Sequence, residues 1–259
     1  MRMDAGMTRE ADSLSLEAAR AAALASPGGT GFAGIGLYRE KLLHATLKRY
    51  YQADTALHEV PLAGMVADLV ANGVVYEIQT GGFTPLKEKI GRYLEAEQPV
   101  RVVCPLVREK WIVSLSAATG EAGAPRKSPR KGSFFDVLKE LHCFLPYRDH
   151  PLFSVELLML DVQEYRVEDR KKRCGYRRLE RYPLRIGERL LLASGADWVR
   201  LLPPSLPTQF TAAAFRQATR LTPKWTARAL WCLEEAEVVC RAGKRGRAIL
   251  YERKSSVLS

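Results

Sequence analysis

Asn72-Gly73 stands between two β-prone runs, Val66 to Ala71 and Val74 to Thr80. Few dipeptides constrain a chain more, because both residues tolerate the positive φ that a two-residue type I′ hairpin demands. With these two as the turn, the register is fixed: Ala71 opposes Val74, Val70 opposes Val75, Leu69 opposes Tyr76, and Asp68 opposes Glu77. Opposed residues hold their Cβ atoms about 4.5–5.5 Å apart, where like charges destabilise a sheet. A hard divalent cation, Mg²⁺ or Mn²⁺, is the natural compensation. Mg²⁺ takes one or two carboxylates and completes its octahedron with water and phosphate oxygens. Gln79 follows Glu77 by two positions and shares its face. The alternative for this hairpin is a solvated sheet face carrying two surface acids.

The flanking segments fit an α/β layer. From Ile35 to Tyr51, residues Leu43, Leu47, Tyr50 and Tyr51 recur at helical spacing, with Glu40 on the same stripe. Leu57 to Leu62 adds a third strand. Thr84 and Pro85 open a helix whose buried face is Leu86, Ile90, Tyr93 and Leu94. Lys89 lies at the edge of that face, either aimed at the acids or solvated. Two further strands are expected at Val100 to Val103 and Trp111 to Leu115. Helix, three strands, helix, strand, strand implies a mixed sheet, an α+β arrangement within the α/β class. His58, just upstream, is either a near-neutral proton carrier or a structural histidine.

This arrangement resembles the PD-(D/E)XK nuclease superfamily. Asp68 matches its Asp, Glu77-Ile78-Gln79 matches its Glu-x-Lys with Gln in place of Lys, and Glu40 matches the helical acid. The resemblance covers roughly residues 36 to 115. Within it, His58 to Val113 is similar to uncharacterised bacterial and phage proteins. It implies a restriction-endonuclease-like αβββαβ core, with Mg²⁺ or Mn²⁺ on Asp68 and Glu77 and metal-assisted phosphodiester hydrolysis. Gln79 can hydrogen-bond but brings no cation, and Lys89 is the candidate replacement.

The net charge of +11 belongs to the second half: residues 1–120 carry 13 Lys+Arg against 13 Asp+Glu, so the whole excess falls in 121–259. Such a field attracts polyanions, nucleic acid first. Eight basic residues crowd Asp169 to Arg185, among them Lys171, Lys172, Arg173, Arg177 and Arg178, interleaved with Tyr176 and Tyr182. This reads either as phosphate and base contact or as a solvated face. Past Pro203-Pro204 and Pro207, a helix from Phe210, a second capped by Thr222-Pro223, and a hairpin around Ala242 to Arg247 resemble a winged helix-turn-helix. Its DNA contacts would be Lys224 and Arg228 in a groove, with Lys244, Arg245 and Arg247 on phosphate.

The expected organisation is a flexible leader over 1–34, a nuclease-like core over 35–120, a basic α/β extension over 121–205, and a mainly α winged helix over 206–254. The loop from Ala117 to Gly132 marks the boundary after the core. The sequence lacks an apolar run long enough to span a membrane and a signal-like N-terminus, so a cytoplasmic protein is expected, with a homodimer as its candidate assembly. Five scattered cysteines suit neither a disulfide framework nor a zinc site. P-loop, G-x-S-x-G, H-E-x-x-H and dinucleotide-binding motifs are absent. Two functions follow: a metal-dependent DNA endonuclease or nuclease-like effector, with RNA as an alternative substrate, or a non-catalytic DNA-binding regulator on an inactive nuclease scaffold.

Overall fold

The computed structural model describes residues 7–25, 41–117 and 119–254, with side chains from Ser15 onward. The hairpin forms where its turn dictates. Asn72 and Gly73 take φ of 50° and 74°, and β2 (Met65–Ala71) pairs with β3 (Val74–Ile78) through Ala71–Val74, Val70–Val75 and Leu69–Tyr76. The expected fourth pair gives way to a side-chain bond: Asp68 Oδ2 accepts from the Ile78 amide at 2.7 Å. β1 (His58–Leu62) pairs antiparallel to β2 on the other side.

After β3, α3 (Leu86–Glu95) buries Leu86, Ile90, Tyr93 and Leu94, the stripe its sequence spacing foretells. Burying each large side chain contributes about 1.5–3 kcal/mol. β4 runs parallel to β3, a pairing that needs a crossover connection such as α3 supplies. β4 runs unbroken from Val100 to Leu115, where the sequence suggested two strands. The polar Arg108, Glu109 and Lys110 look like a break but carry ion pairs within the sheet.

The expected division near residue 120 does not hold. Arg126–Lys127, inside the supposed boundary loop, is β5 and pairs with β4. β6 (Phe153–Glu168) runs parallel to β4, and β7 (Tyr176–Leu192) returns antiparallel. The sheet order is β1-β2-β3-β4-β6-β7, so most of the predicted extension continues the core sheet. Between β5 and β6 the expected helix is two 3-10 segments, Phe134–Lys139 and Leu141–Tyr147. The first has a Ser133/Asp136 capping box, and Pro146 interrupts the second.

Two helices cover one sheet face. α2 (Leu42–Tyr51) lays Leu43 and Leu47 on Leu69, Tyr76, Ile78 and Val103. α1 (Met7–Ala25) buries Leu16 completely, and its Arg20 bonds the Pro183 carbonyl at 2.9 Å. Residues 15–25 are therefore docked on the sheet, not a loose leader. The opposite face holds α3, the 3-10 segments and the C-terminal elements in one apolar cluster. Those elements are β8 (Gln209–Thr211), α4 (Ala212–Thr219), α5 (Pro223–Glu235), β9 (Val239–Arg245) and β10 (Ala248–Arg253), with sheet order β8-β10-β9. No helix among the described residues is long and apolar enough to cross a membrane.

Candidate functional site

Asp68 and Glu77 meet where helices from both faces of the sheet reach its β2–β3 end. From α3, Lys89 Nζ stands 2.7 Å from Glu77 Oε2, and the Tyr93 hydroxyl donates to Oε1 at 3.2 Å. From α2, His44 Nε2 lies 3.1 Å from Asp68 Oδ2, the oxygen that also takes the Ile78 amide. Glu77 is 2% exposed, so its charge is maintained at a cost. Burial, then the charge of Asp68, push its carboxyl up to about 7 against the pull of Lys89 and Tyr93. Asp68 goes the other way. Burial raises it, but the His44 bond and charge, the Ile78 amide and Lys89 together leave it below the usual aspartate value. Burial and the charge of Glu77 hold the Tyr93 hydroxyl well above its ordinary range, so it remains a donor.

The pair thus separates into one acid kept ionised and one balanced at neutrality, with a lysine between solvent and sheet. The donor set fits a hard divalent ion. It offers two carboxylates, and both contacts on Asp68 fall on Oδ2. Among the described residues no three His, Cys, Asp or Glu side chains converge as a closed metal cage.

The other sequence candidates fall as follows. Gln79 turns its amide to the Gly82 carbonyl and its backbone amide to Val103, so its side chain folds away from the acids. The His58 ring meets the Gln52 carbonyl at 2.8 Å, and its place on β1 is opposite Leu69. Glu40 lies outside the described residues. His44 and Tyr93 are the site residues that sequence reasoning missed. The signal for His44 was its place between Leu43 and Leu47, a polar residue beside the buried stripe of α2.

Of the basic candidates, Lys171, Lys172 and Arg173 are exposed at the turn joining β6 to β7, and Arg177 and Arg178 are exposed at the start of β7. Part of this charge is spent inside the sheet. Glu164, 2% exposed, draws Arg166 (2.5 Å), Arg181 (3.2 Å), Lys110 (3.5 Å) and Arg178 (3.9 Å). Asp161 is held likewise by Arg108 and Arg185. In the C-terminal unit, Lys224 rests over the Trp225 ring, and Arg228, though exposed, bonds the His142 ring. Lys244, Arg245 and Arg247 are exposed at the β9–β10 turn.

Comparison with known families places this site within a recurring domain. A family model described as a domain of unknown function, DUF8091, matches residues 41–193, more than half of the chain. The chain belongs to that family. The DUF8091 match takes in α2, the sheet from β1 to β7 and α3, and therefore His44, Asp68, Glu77, Lys89 and Tyr93. It stops before the C-terminal helices and hairpin. A protein of Treponema pallidum (strain Nichols), described as uncharacterized, is 34% identical over 145 residues, 56% of this chain and 57% of its own length. The chain thus spans little more than half of that relative. No solved structure matches.

Proposed function

We propose that this DUF8091 chain is a metal-dependent DNA endonuclease, or a nuclease-like DNA-binding effector, acting on phosphodiesters at the Asp68–Glu77 pair. One observation carries the reading: acids on two adjacent strands converge with a lysine from the following helix, and one acid is balanced near pH 7. The order α2, antiparallel β1–β2–β3, α3, then β4 parallel to β3 supports a PD-(D/E)XK-like core. Two helices followed by a hairpin in the order β8-β10-β9 support a winged-helix reading of the C-terminus.

Asp68 and Glu77 would hold Mg²⁺ or Mn²⁺, which when bound supplies a water of lowered pKa and offsets charge on a phosphate. The chain's own groups do the rest. Lys89 brings the cation that Gln79 lacks, within reach of the same carboxylate and so of an anion beside it. Glu77, near its midpoint at neutral pH, can hold or release a proton. Tyr93 and His44 fix the two carboxylates from opposite faces of the sheet.

A second reading also has an observation behind it. Lys89 and Tyr93 already satisfy both oxygens of Glu77, so the pair can serve as a structural knot in a DNA-binding regulator. Incubating supercoiled plasmid with wild type and Glu77→Ala in Mg²⁺, Mn²⁺ or EDTA separates the two. Nicking that needs metal and is lost in the variant is the expected result. Intact plasmid in every lane, with DNA retarded in a gel, would sink the enzyme and leave the regulator.

A further inference from the structure

A pocket of about 130 Å³ lies between Lys41, Thr80, Arg178, Glu180 and Arg181, with Leu43 and Leu179 as its apolar wall. Its walls continue the site's own elements. Lys41 precedes α2 and stands three residues before His44, which holds Asp68. Thr80 follows Gln79 at the end of β3, and the remaining wall is the start of β7.

Three of those lining residues are cations, and their local countercharge is already shared. Arg178 and Arg181 both draw on Glu164, which Arg166 and Lys110 also occupy. Arg178 is the most loosely held, at 3.9 Å with its side chain half exposed. Lys41 Nζ reaches the Leu179 carbonyl at 3.0 Å, a neutral partner. With Lys41 and Glu180 included, two carboxylates stand among five cations, a surplus that an anion satisfies.

A second observation points to more than a bare anion. Glu180 is 5% exposed; its Oε1 accepts from the Arg181 amide, while Oε2 is buried without a hydrogen-bond donor. A buried acceptor left unmet costs about 1–3 kcal/mol. A group bringing a hydroxyl or N–H together with its phosphate meets both demands, whereas inorganic phosphate meets one.

We propose that this pocket is a subsite for one nucleotide unit of a nucleic-acid strand, with phosphate on Arg178 and Lys41 and a sugar or base donor toward Glu180. It rests on the nuclease reading for its neighbour but not for its own test. The strand would leave the Asp68–Glu77 pair along the start of β7.

Binding of fluorescein-labelled 12-nucleotide single strands, DNA and RNA, is followed by anisotropy in EDTA across a salt series. Wild type, Arg178→Gln, Lys41→Gln and a control on α3, Arg92→Gln, are compared, with thermal melts to check folding. The expected result is a loss of affinity of about three- to tenfold in each pocket variant. The salt slope should fall by about 0.7 per lost phosphate contact, and the control should be unchanged. Inorganic phosphate should compete far less well than a nucleoside monophosphate. Folded Arg178→Gln and Lys41→Gln that bind with wild-type affinity and slope would overturn the subsite, as would a wild type that binds neither strand. Arg178-dependent binding without plasmid cleavage would overturn the nuclease and leave the subsite standing.

Discussion

A carboxyl that titrates near neutrality inside a sheet ties folding to pH. Glu77 has a folded value of about 7 against an ordinary 4.5, so the folded chain binds its proton more tightly than the unfolded one. Its contribution to stability is full below about pH 4.5 and is lost as pH rises through 7. Urea unfolding should show wild type losing about 2–3 kcal/mol relative to Glu77→Gln between pH 5 and pH 8. Parallel curves for the two proteins would refute that placement of Glu77. Asp68 has the opposite sign: its pKa is lowered, so its contribution is present above about pH 4 and disappears as pH falls into the acid range. The two acids were legible in the sequence because strand parity is a local rule, whereas Lys89 could also be read as a solvated surface lysine. His44 and Tyr93 were not legible. How α2 crosses β2 is a tertiary matter, and a tyrosine on an apolar stripe reads as core until its hydroxyl has a partner.

At the scale of elements, the hairpin and α3 follow their sequence signals because turn chemistry and a 3.6-residue stripe need no distant partner. β4, β6 and β7 were only partly legible. Their polar positions, which look like breaks or solvated charge, are ion pairs across neighbouring strands. The two 3-10 segments carry apolar residues at spacings that mimic a helix, and only the cap at Ser133 and the interruption at Pro146 distinguish them. Glu164 holds the arginine ladder together: replacing it by alanine leaves Lys110, Arg166 and Arg181 crowded without their shared acid. Breaking a buried pair from one side costs about 3–5 kcal/mol, so the midpoint of chemical denaturation should drop sharply for Glu164→Ala. Added salt should recover part of that loss by screening the cations. A loss below about 1 kcal/mol would mean the ladder is solvated in practice.

For the whole molecule, the decisive fact is that one apolar cluster runs from Ala67 on β2 to Tyr251 on β10, through Trp198, Phe215 and Leu230. Sequence punctuation at Pro203-Pro204 suggested an independent C-terminal unit, but a proline pair reports a local chain break and says nothing of which faces pack together. Shared burial predicts shared melting. Near-ultraviolet and far-ultraviolet circular dichroism should trace a single urea transition, and Leu230→Ala should shift it as a whole by about 2–5 kcal/mol. Two separated transitions would restore the independent unit.

β7 also ends the sheet. Among the described residues no strand pairs with the outer side of this 17-residue strand, though Arg20 and Lys41 take up its Pro183 and Leu179 carbonyls; a long edge of this kind is a template on which another chain can add itself and start an aggregate. Here that invitation is withdrawn at intervals along its length. Pro183 has no amide hydrogen to offer, irregular register steps break the repeat at three points, and Arg177, Arg178, Arg185 and Arg189 surround it with like charge. The basic stretch therefore has a duty to solubility whatever it binds, and variants that neutralise it will need to be watched for precipitation.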